Sequence, residues 1–317
     1  MSRMPLSDQP LILVYHEKQA EKYASTVSQM GFARVRYAND ELSASAWLDE
    51  AEVLFAWKFP PHLYSRMPRL RFVQWMGAGV EDVAGKVSNS VTLARVVGQF
   101  GHVMAEYVFS WLLYEYQGAA KFLAAKQARE WRPHRPEPLS GKIMGVAGLG
   151  SIGAEVVNLA KAFGMRVWGL SRTGANQDLV ERHFFPGEFV EFASQVDVLV
   201  VVLPHTPETE KIVNMEILSA MAPTSILVNI GRGKTVDEEA LIKRLQGHAM
   251  RGAILDVFAE EPLSPSHPFW DMPQVYLTPH ISGPSLIEDV SRYFFENFER
   301  YNKVLPLLGE VDQHKGY

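Results

Sequence analysis

Short apolar runs alternate along the chain with stretches whose apolar residues recur at helical spacing. Leu11-Ile12-Leu13-Val14-Tyr15 is a run of strand length, and residues 17–30 carry the helical pattern until Gly31 interrupts it. The rhythm continues: residues 33–37 predict a strand, 41–50 a helix, 53–57 a strand, 63–67 a short helix, and 72–75 and 92–95 two more strands. Strands separated by helices pair in parallel through right-handed crossovers, so this stretch predicts a doubly wound domain. Ligands of such sheets bind beyond the carboxyl ends of the strands. Met76-Gly77-Ala78-Gly79-Val80-Glu81 follows one such end. Two close glycines there either make a tight connection or turn backbone N–H groups towards an anion.

Residues 102–117, HVMAEYVFSWLLYEYQ, predict a strongly apolar helix, but Glu106 and Glu115 interrupt it and leave it too polar for a membrane span. It reads as a connector between domains whose surplus apolar face meets a second subunit; burial within one subunit is the alternative. Three prolines within residues 131–138 predict an extended loop. Beyond that loop, strands are expected over 143–147, 165–170, 196–203, 225–230, 253–255 and 275–277, with helices over 154–163 and 237–246. Asp237 caps the second of these helices, and Glu238 and Glu239 sit in its favourable first turn. A last helix, from about 285 to 304, lies past these strands and is expected to return to the first domain.

The turn after strand 143–147 carries the most specific chemistry. Gly148-Leu149-Gly150-Ser151-Ile152-Gly153 is G-x-G-x-x-G placed between a buried strand and a helix. Gly148 allows the tight turn, Gly150 lets a pyrophosphate approach the backbone, and Gly153 lets the helix pack on its strand. The helix start at Ser151 and Ile152 offers free N–H groups to phosphates. The next strand ends in Ser171-Arg172-Thr173, with no acidic residue. A carboxylate there would accept from a ribose 2′-hydroxyl and repel a 2′-phosphate, whereas Arg172 presents a planar cation and Ser171 a hydroxyl. NADP(H) is therefore expected over NAD(H), unless Arg172 is an ordinary solvated arginine and the choice is made elsewhere.

Composition narrows the class. The chain has 317 residues, which suits two domains better than one core. It carries 31 Lys and Arg against 36 Asp and Glu, a net charge of −5 that favours neither nucleic acid nor a membrane surface as partner. The absence of cysteine excludes disulfides, thiolate metal sites and a cysteine nucleophile. No basic segment followed by a long apolar run opens the chain, so a cytoplasmic location is expected. No metal is expected.

Five ordered motifs, GLGSIG at 148–153, LPHTPET at 203–209, NIGRG at 229–233, LDVFAEEP at 255–262 and TPHIS at 278–282, resemble the D-2-hydroxyacid dehydrogenase family, together with the Gly-Ala-Gly turn at 77–79. The arginine at 172 and the WMGAGVE stretch most resemble the NADP-linked glyoxylate/hydroxypyruvate reductase branch. The resemblance implies an α/β protein of two doubly wound, Rossmann-like parallel-sheet domains. A dinucleotide-binding domain, 102–282, is inserted into a split, flavodoxin-like substrate domain, 1–101 and 283–317, with the active site in the cleft between them. It also implies that Asp256 lies near the nicotinamide end of the cofactor; Pro204, at the end of the strand over 196–203, counts among the cofactor-binding positions.

Reducing a 2-oxo acid requires a hydride donor, an anchor for the carboxylate, polarisation of the carbonyl and a proton for the emerging alkoxide. Arg232, just past a strand end, can clamp oxygens bidentately, and the Gly77, Ala78 and Gly79 amides can hold the carboxylate. His280, one of ten histidines, stands just past the strand over 275–277 in the motif TPHIS, and it suits the acid/base role. Glu261 can hold the imidazole and favour its charged form. His205 is expected to be structural or to contact the phosphate side. The predicted function is NADPH-dependent reduction of a small 2-oxo acid by a homodimer. Two alternatives stand beside it: an NAD-linked enzyme with another substrate, and a nicotinamide-sensing corepressor of the same fold. The absence of a long polar tail after Gly309 argues against the corepressor, and Glu261, where a formate dehydrogenase would have glutamine, argues against that activity.

Overall fold

The run Leu11–Tyr15 forms strand β1, buried along its whole length. Helix α1 (Ala20–Gln29) follows and buries Ala20, Tyr23, Ala24 and Val27 at helical spacing. The computed structural model describes residues 3–312. They fall into two units, 3–99 with 285–312, and Phe100–Pro284. In the first unit β2 (Val35–Ala38), α2 (Glu41–Ser45), β3 (Ala51–Ala56), β4 (Phe72–Trp75) and β5 (Thr92–Arg95) complete a parallel sheet of order β2-β1-β3-β4-β5. Helix α2 is shorter than its sequence suggests. Asp40 caps it through the Ser43 N–H, but residues 46–50 form turns in which the Trp47 and Glu50 N–H groups donate to carbonyls three residues back, and β3 begins at Ala51. The short helix expected over 63–67 is a 3-10 turn at Pro61–Arg66.

The second unit opens with α3 (Gly101–Tyr116) and α4 (Ala119–Gln127), the latter unforeseen because its apolar residues show little sidedness and only Ala125 is buried. Then come β6 (Ile143–Ala147), α5 (Ser151–Ala162), β7 (Arg166–Leu170), β8 (Arg182–Phe184), α6 (Phe189–Ser194), β9 (Val198–Val201), α7 (Met215–Ala220), β10 (Ile226–Asn229), α8 (Glu238–Gln246), β11 (Gly252–Leu255) and β12 (Val275–Leu277). All seven strands are parallel, in the order β12-β11-β10-β9-β6-β7-β8. Strand order reverses between β6 and β9, so the glycine turn after β6 lies at the topological switch point where ligands of such sheets bind. β8, α6 and α7 have three to six residues, too few to display a period in the sequence. Helix α3 buries Met104, Ala105, Val108, Phe109 and Leu112 within its own unit, chiefly against α5; Trp111 and Tyr114 stay partly exposed, packed on Tyr276.

The last helix, α9 (Ile287–Asn302), belongs to the first unit. Phe294 stacks on Phe55 and faces Phe72, while the buried Asn297 side chain donates to Gln74 Oε1 at 2.8 Å and to the Leu308 carbonyl. Gln74 in turn donates to the carbonyls of Trp75 and Ala94. This satisfied polar pair fixes the C-terminal helix in one register on the apolar sheet.

Candidate active site

The glycine turn is shaped as each residue requires. Gly148 has φ +106°, a conformation that favours glycine, and a Cβ there would stand 2.7 Å from the Val202 carbonyl oxygen. A Cβ on Gly153 would come within 2.0 Å of the Gly148 oxygen, so α5 can start where it does only with glycine at 153. Nothing lies within 4 Å of a Cβ at Gly150, which caps α5 without any side-chain hydrogen bond. The helix begins at Ser151, inside the motif. Its first N–H groups and the open space at Gly150 therefore fit a pyrophosphate.

At the end of β7, Ser171 Oγ lies 2.8 Å from Nε2 of His183 on β8, and the Ser171 N–H donates to the Phe184 carbonyl. Arg172 and Thr173 are exposed. Asn176, in a left-handed conformation, donates from its side chain to the Leu149 carbonyl and ties this strand-end loop to the glycine turn. The arrangement fits a 2′-phosphorylated adenosine ribose, with a cation and a hydroxyl at the strand end and no carboxylate in 171–173. Pro204 is exposed at the end of the β9 segment, and its carbonyl accepts from Thr209. His205 Nε2 is buried without a hydrogen-bond partner, and Glu210 stands 3.9 Å away.

Three loops at the carboxyl ends of β10, β11 and β12 bring the acid/base candidates together. His280 Nδ1 lies 2.8 Å from Glu261 Oε2, and Glu261 Oε1 accepts from the Phe258 N–H at 3.0 Å. Burial works against the charged form of Glu261. The hydrogen bonds from His280 and Phe258, and the positive charges of His280 and Arg232, outweigh it and hold the carboxyl below its ordinary value. Arg232 is half-buried and donates to the Gly231 carbonyl. Its loop reaches the Glu261 loop through Gly233, where a Cβ would fall 1.8 Å from the Phe258 carbonyl carbon. On the other side, a Cβ at Gly231 would stand 2.7 Å from the Leu203 oxygen. Two glycines thus let the arginine loop wedge between its neighbours.

In the first unit, Gly77, Ala78 and Gly79 follow β4, with Gly77 buried and the other two half-buried. The Trp57 ring covers Gly77, since a Cβ there would lie 2.1 Å from Trp57 Cζ3, and Trp57 packs on Trp75 with ring centroids 5.5 Å apart.

Residues 109–282 match the model of the D-isomer specific 2-hydroxyacid dehydrogenase NAD-binding domain. The chain belongs to the D-isomer specific 2-hydroxyacid dehydrogenase family. A glyoxylate/hydroxypyruvate reductase A of Serratia proteamaculans is 32% identical over 275 residues, covering 84% of this chain and 88% of that one. Its counterpart in Klebsiella pneumoniae is 31% identical over 277 residues with the same coverage. Among solved structures, a family member from Aeromonas salmonicida superposes with TM-score 0.89 at 30% identity, covering 96% of this chain and all of that one. An NADPH-dependent glyoxylate/hydroxypyruvate reductase of Sinorhizobium meliloti, in complex with NADP and sulfate, gives TM-score 0.88 at 28% identity, covering 98% and 100%.

For this 2-hydroxyacid dehydrogenase the structure gives Asp256 a role in the His280 loop and adds Tyr107, Asn229 and Thr235 to the residues that the motifs alone single out. Asp256 is fully buried. Its carboxylate accepts from the Thr278 hydroxyl at 2.6 Å and from the N–H groups of Ile281 and Ser282 at 2.8 and 2.9 Å, and its carbonyl accepts from the His280 N–H. The side chain thus organises the loop that carries His280, which has φ +54°. Tyr107 on α3 meets the Thr278 hydroxyl at 2.6 Å, and burial pushes its phenol up to about 12. Asn229 and Thr235, both buried, brace the arginine loop: Asn229 donates to the Arg232 carbonyl and accepts from Gly231 N–H, and the Thr235 hydroxyl donates to the same carbonyl. The signal of Asn229 in the sequence is a polar residue at the end of an apolar strand, which does not by itself name a partner; Thr235, in the 3-10 turn Gly233–Thr235, carries no such signal.

Proposed function

We propose that the protein reduces small 2-oxo acids of the glyoxylate or hydroxypyruvate type to D-2-hydroxy acids with NADPH. The observation that carries this reading is the His280–Glu261 pair, 2.8 Å apart, with the Arg232 charge acting on it from the next loop of the same sheet. The NADP and NADPH bound by family structures from Sinorhizobium meliloti and Xanthobacter autotrophicus support the choice of cofactor, as does Arg172 in place of an acidic strand end. Gly148, Gly150, Ser151, Ile152 and Gly153 would hold the pyrophosphate, and Ser171, Arg172 and Thr173 the 2′-phosphate. Pro204 and Asp256 would line the remaining cofactor path, Asp256 through the backbone it positions.

When bound, the reduced nicotinamide supplies a hydride to the substrate carbonyl carbon. The protein supplies the rest. Arg232 anchors the carboxylate and polarises the carbonyl, which localises negative charge where donors already stand. His280 enters as imidazolium and donates its proton to the carbonyl oxygen as the carbon is reduced, leaving neutral imidazole and a hydroxyl group. Glu261 stabilises the imidazolium before transfer and keeps the ring oriented through Nδ1. The Ala78 and Gly79 N–H groups receive the carboxylate.

We infer further a homodimer built through the second unit. Trp131 (97% exposed), Phe122 and Leu123 present large apolar side chains to solvent, which suits burial against a second copy. No helix of the described residues is long and apolar enough to cross a membrane; a cytoplasmic location suits a reductase fed by NADPH. The decisive experiment follows NADPH and NADH oxidation with glyoxylate, hydroxypyruvate, pyruvate and phenylpyruvate. Turnover of the two smallest acids with NADPH is expected, and no turnover with any of the four would overturn the reading.

A further inference from the structure

The Gly77-Ala78-Gly79 turn has its carbonyls tied down on one side. The Gly77 oxygen accepts from the Val96 N–H at 3.1 Å, and the Ala78 oxygen accepts from Arg95 Nη1 at 2.7 Å. Both donors stand at the carboxyl end of β5. In a trans peptide the N–H points opposite to the C=O. The Ala78 N–H, which shares a peptide with the Gly77 carbonyl, and the Gly79 N–H, which shares one with the Ala78 carbonyl, therefore both point away from β5. Among the described residues neither N–H meets an acceptor. Two neighbouring N–H groups facing one way form an anion-binding concavity.

We propose that Arg95 is a positioning residue for the substrate carboxylate, acting through the Ala78 carbonyl rather than by touching the substrate. The inference rests on the reading that this turn receives the carboxylate. A charge-assisted bond from a guanidinium is stronger than a neutral one, so Arg95 resists rotation of the Ala78–Gly79 peptide. It also polarises that peptide, which makes the Gly79 N–H a better donor. The Arg95 backbone is itself anchored, its N–H donating to the Gly309 carbonyl at 2.9 Å within the same unit. Val96 performs the equivalent task for Gly77 with a main-chain N–H that no substitution short of proline removes. The turn is thus held by one fixed donor and one side chain.

The test compares Arg95→Met and Arg95→Lys with the unaltered protein. Glyoxylate KM and kcat, the Kd of NADPH by fluorescence, thermal unfolding, and calorimetric binding of oxamate to the NADP complex are measured. Arg95→Met should raise KM and the oxamate Kd at least about tenfold while kcat and the NADPH Kd change less than about threefold. Arg95→Lys, which keeps a cation but not the planar fork, should fall between. An Arg95→Met protein with unchanged KM and oxamate Kd overturns the proposal. So does one in which KM, kcat and the NADPH Kd move together, since that marks general loss of structure. If Arg95→Met does not fold, Arg95→Lys decides by the same criteria. An unaltered protein that binds oxamate but reduces no 2-oxo acid would sink the proposed function and leave the role of Arg95 to be read from oxamate binding alone; one that reduces glyoxylate but binds no oxamate leaves that role to be decided by KM, and one that does neither removes both.

Discussion

The Trp57 ring lies over Gly77 so closely that even a methyl group at 77 would stand 2.1 Å from its Cζ3 atom. Trp57 also packs on the fully buried Trp75, so it cannot yield inward. Gly77→Ala should therefore displace the indole or the turn, lowering stability by about 1–3 kcal/mol and raising the KM for the 2-oxo acid. Urea unfolding and steady-state kinetics on the same preparation check both. Because Trp57 covers the turn proposed to receive the carboxylate, Trp57→Phe, which removes the second ring, should raise kcat/KM for phenylpyruvate relative to glyoxylate; an unchanged ratio would show that the indole does not limit the size of the acid.

His280→Ala should lower kcat by something on the order of 10²–10⁴, because proton transfer acts in the transition state, while NADPH still binds. Glu261→Gln preserves the shape of the pair and removes the charge that favours imidazolium, so the alkaline limb of the reduction profile should move to lower pH. The sign for stability follows from the same pair. The Glu261 carboxyl is held below its ordinary value in the folded protein. Its pairing therefore stabilises the fold above the ordinary carboxylate range and is lost as pH falls through the depressed folded value. Comparing unfolding midpoints of the unaltered protein and Glu261→Gln between acid and neutral pH checks this, with the difference expected to shrink in acid.

Asp256→Ala should act on catalysis from beneath His280. It leaves the Ile281 and Ser282 N–H groups and the Thr278 hydroxyl without their acceptor, at a cost of about 2–4 kcal/mol. The loop should loosen and kcat fall. Hydrogen exchange at residues 278–282 provides a reading independent of turnover, and protection equal to the unaltered protein would contradict it.

Arg172→Asp should reverse or abolish the preference for NADPH, which is expected to be at least about tenfold, or about 1.4 kcal/mol, in the unaltered protein. Equal kcat/KM for the two cofactors before substitution would count against a role for the strand end.

Sedimentation at micromolar concentration should give twice the mass of one chain. Trp131→Ala and Leu123→Glu together should shift it towards one chain, since both residues expose apolar side chains. A single-chain mass for the unaltered protein would eliminate the dimer.

Local signals were sufficient for the alternation of strands and helices, for the glycine turn, and for the order of Arg232, Glu261 and His280 along the chain, because each depends on residues near one another in sequence. Apolar runs bury themselves as parallel strands, and the glycines of a strand–turn–helix unit announce a backbone that a Cβ would obstruct. Elements of three to six residues, β8, α6 and α7, escaped because a three-residue strand and helices of fewer than two turns show no period, and α2 ended early because the chain turns before β3 begins at Ala51. Everything that depends on which distant groups meet was decided by tertiary structure. Asp256 turned its carboxylate to the loop of His280 because buried N–H groups there required an acceptor. Gly233 mattered because the Phe258 backbone lies against it, and Arg95 because the Ala78 carbonyl points at it. The sequence by itself determined the chemistry available at the strand ends. Close packing and the need to satisfy buried polar groups determined which of those residues hold the others in place.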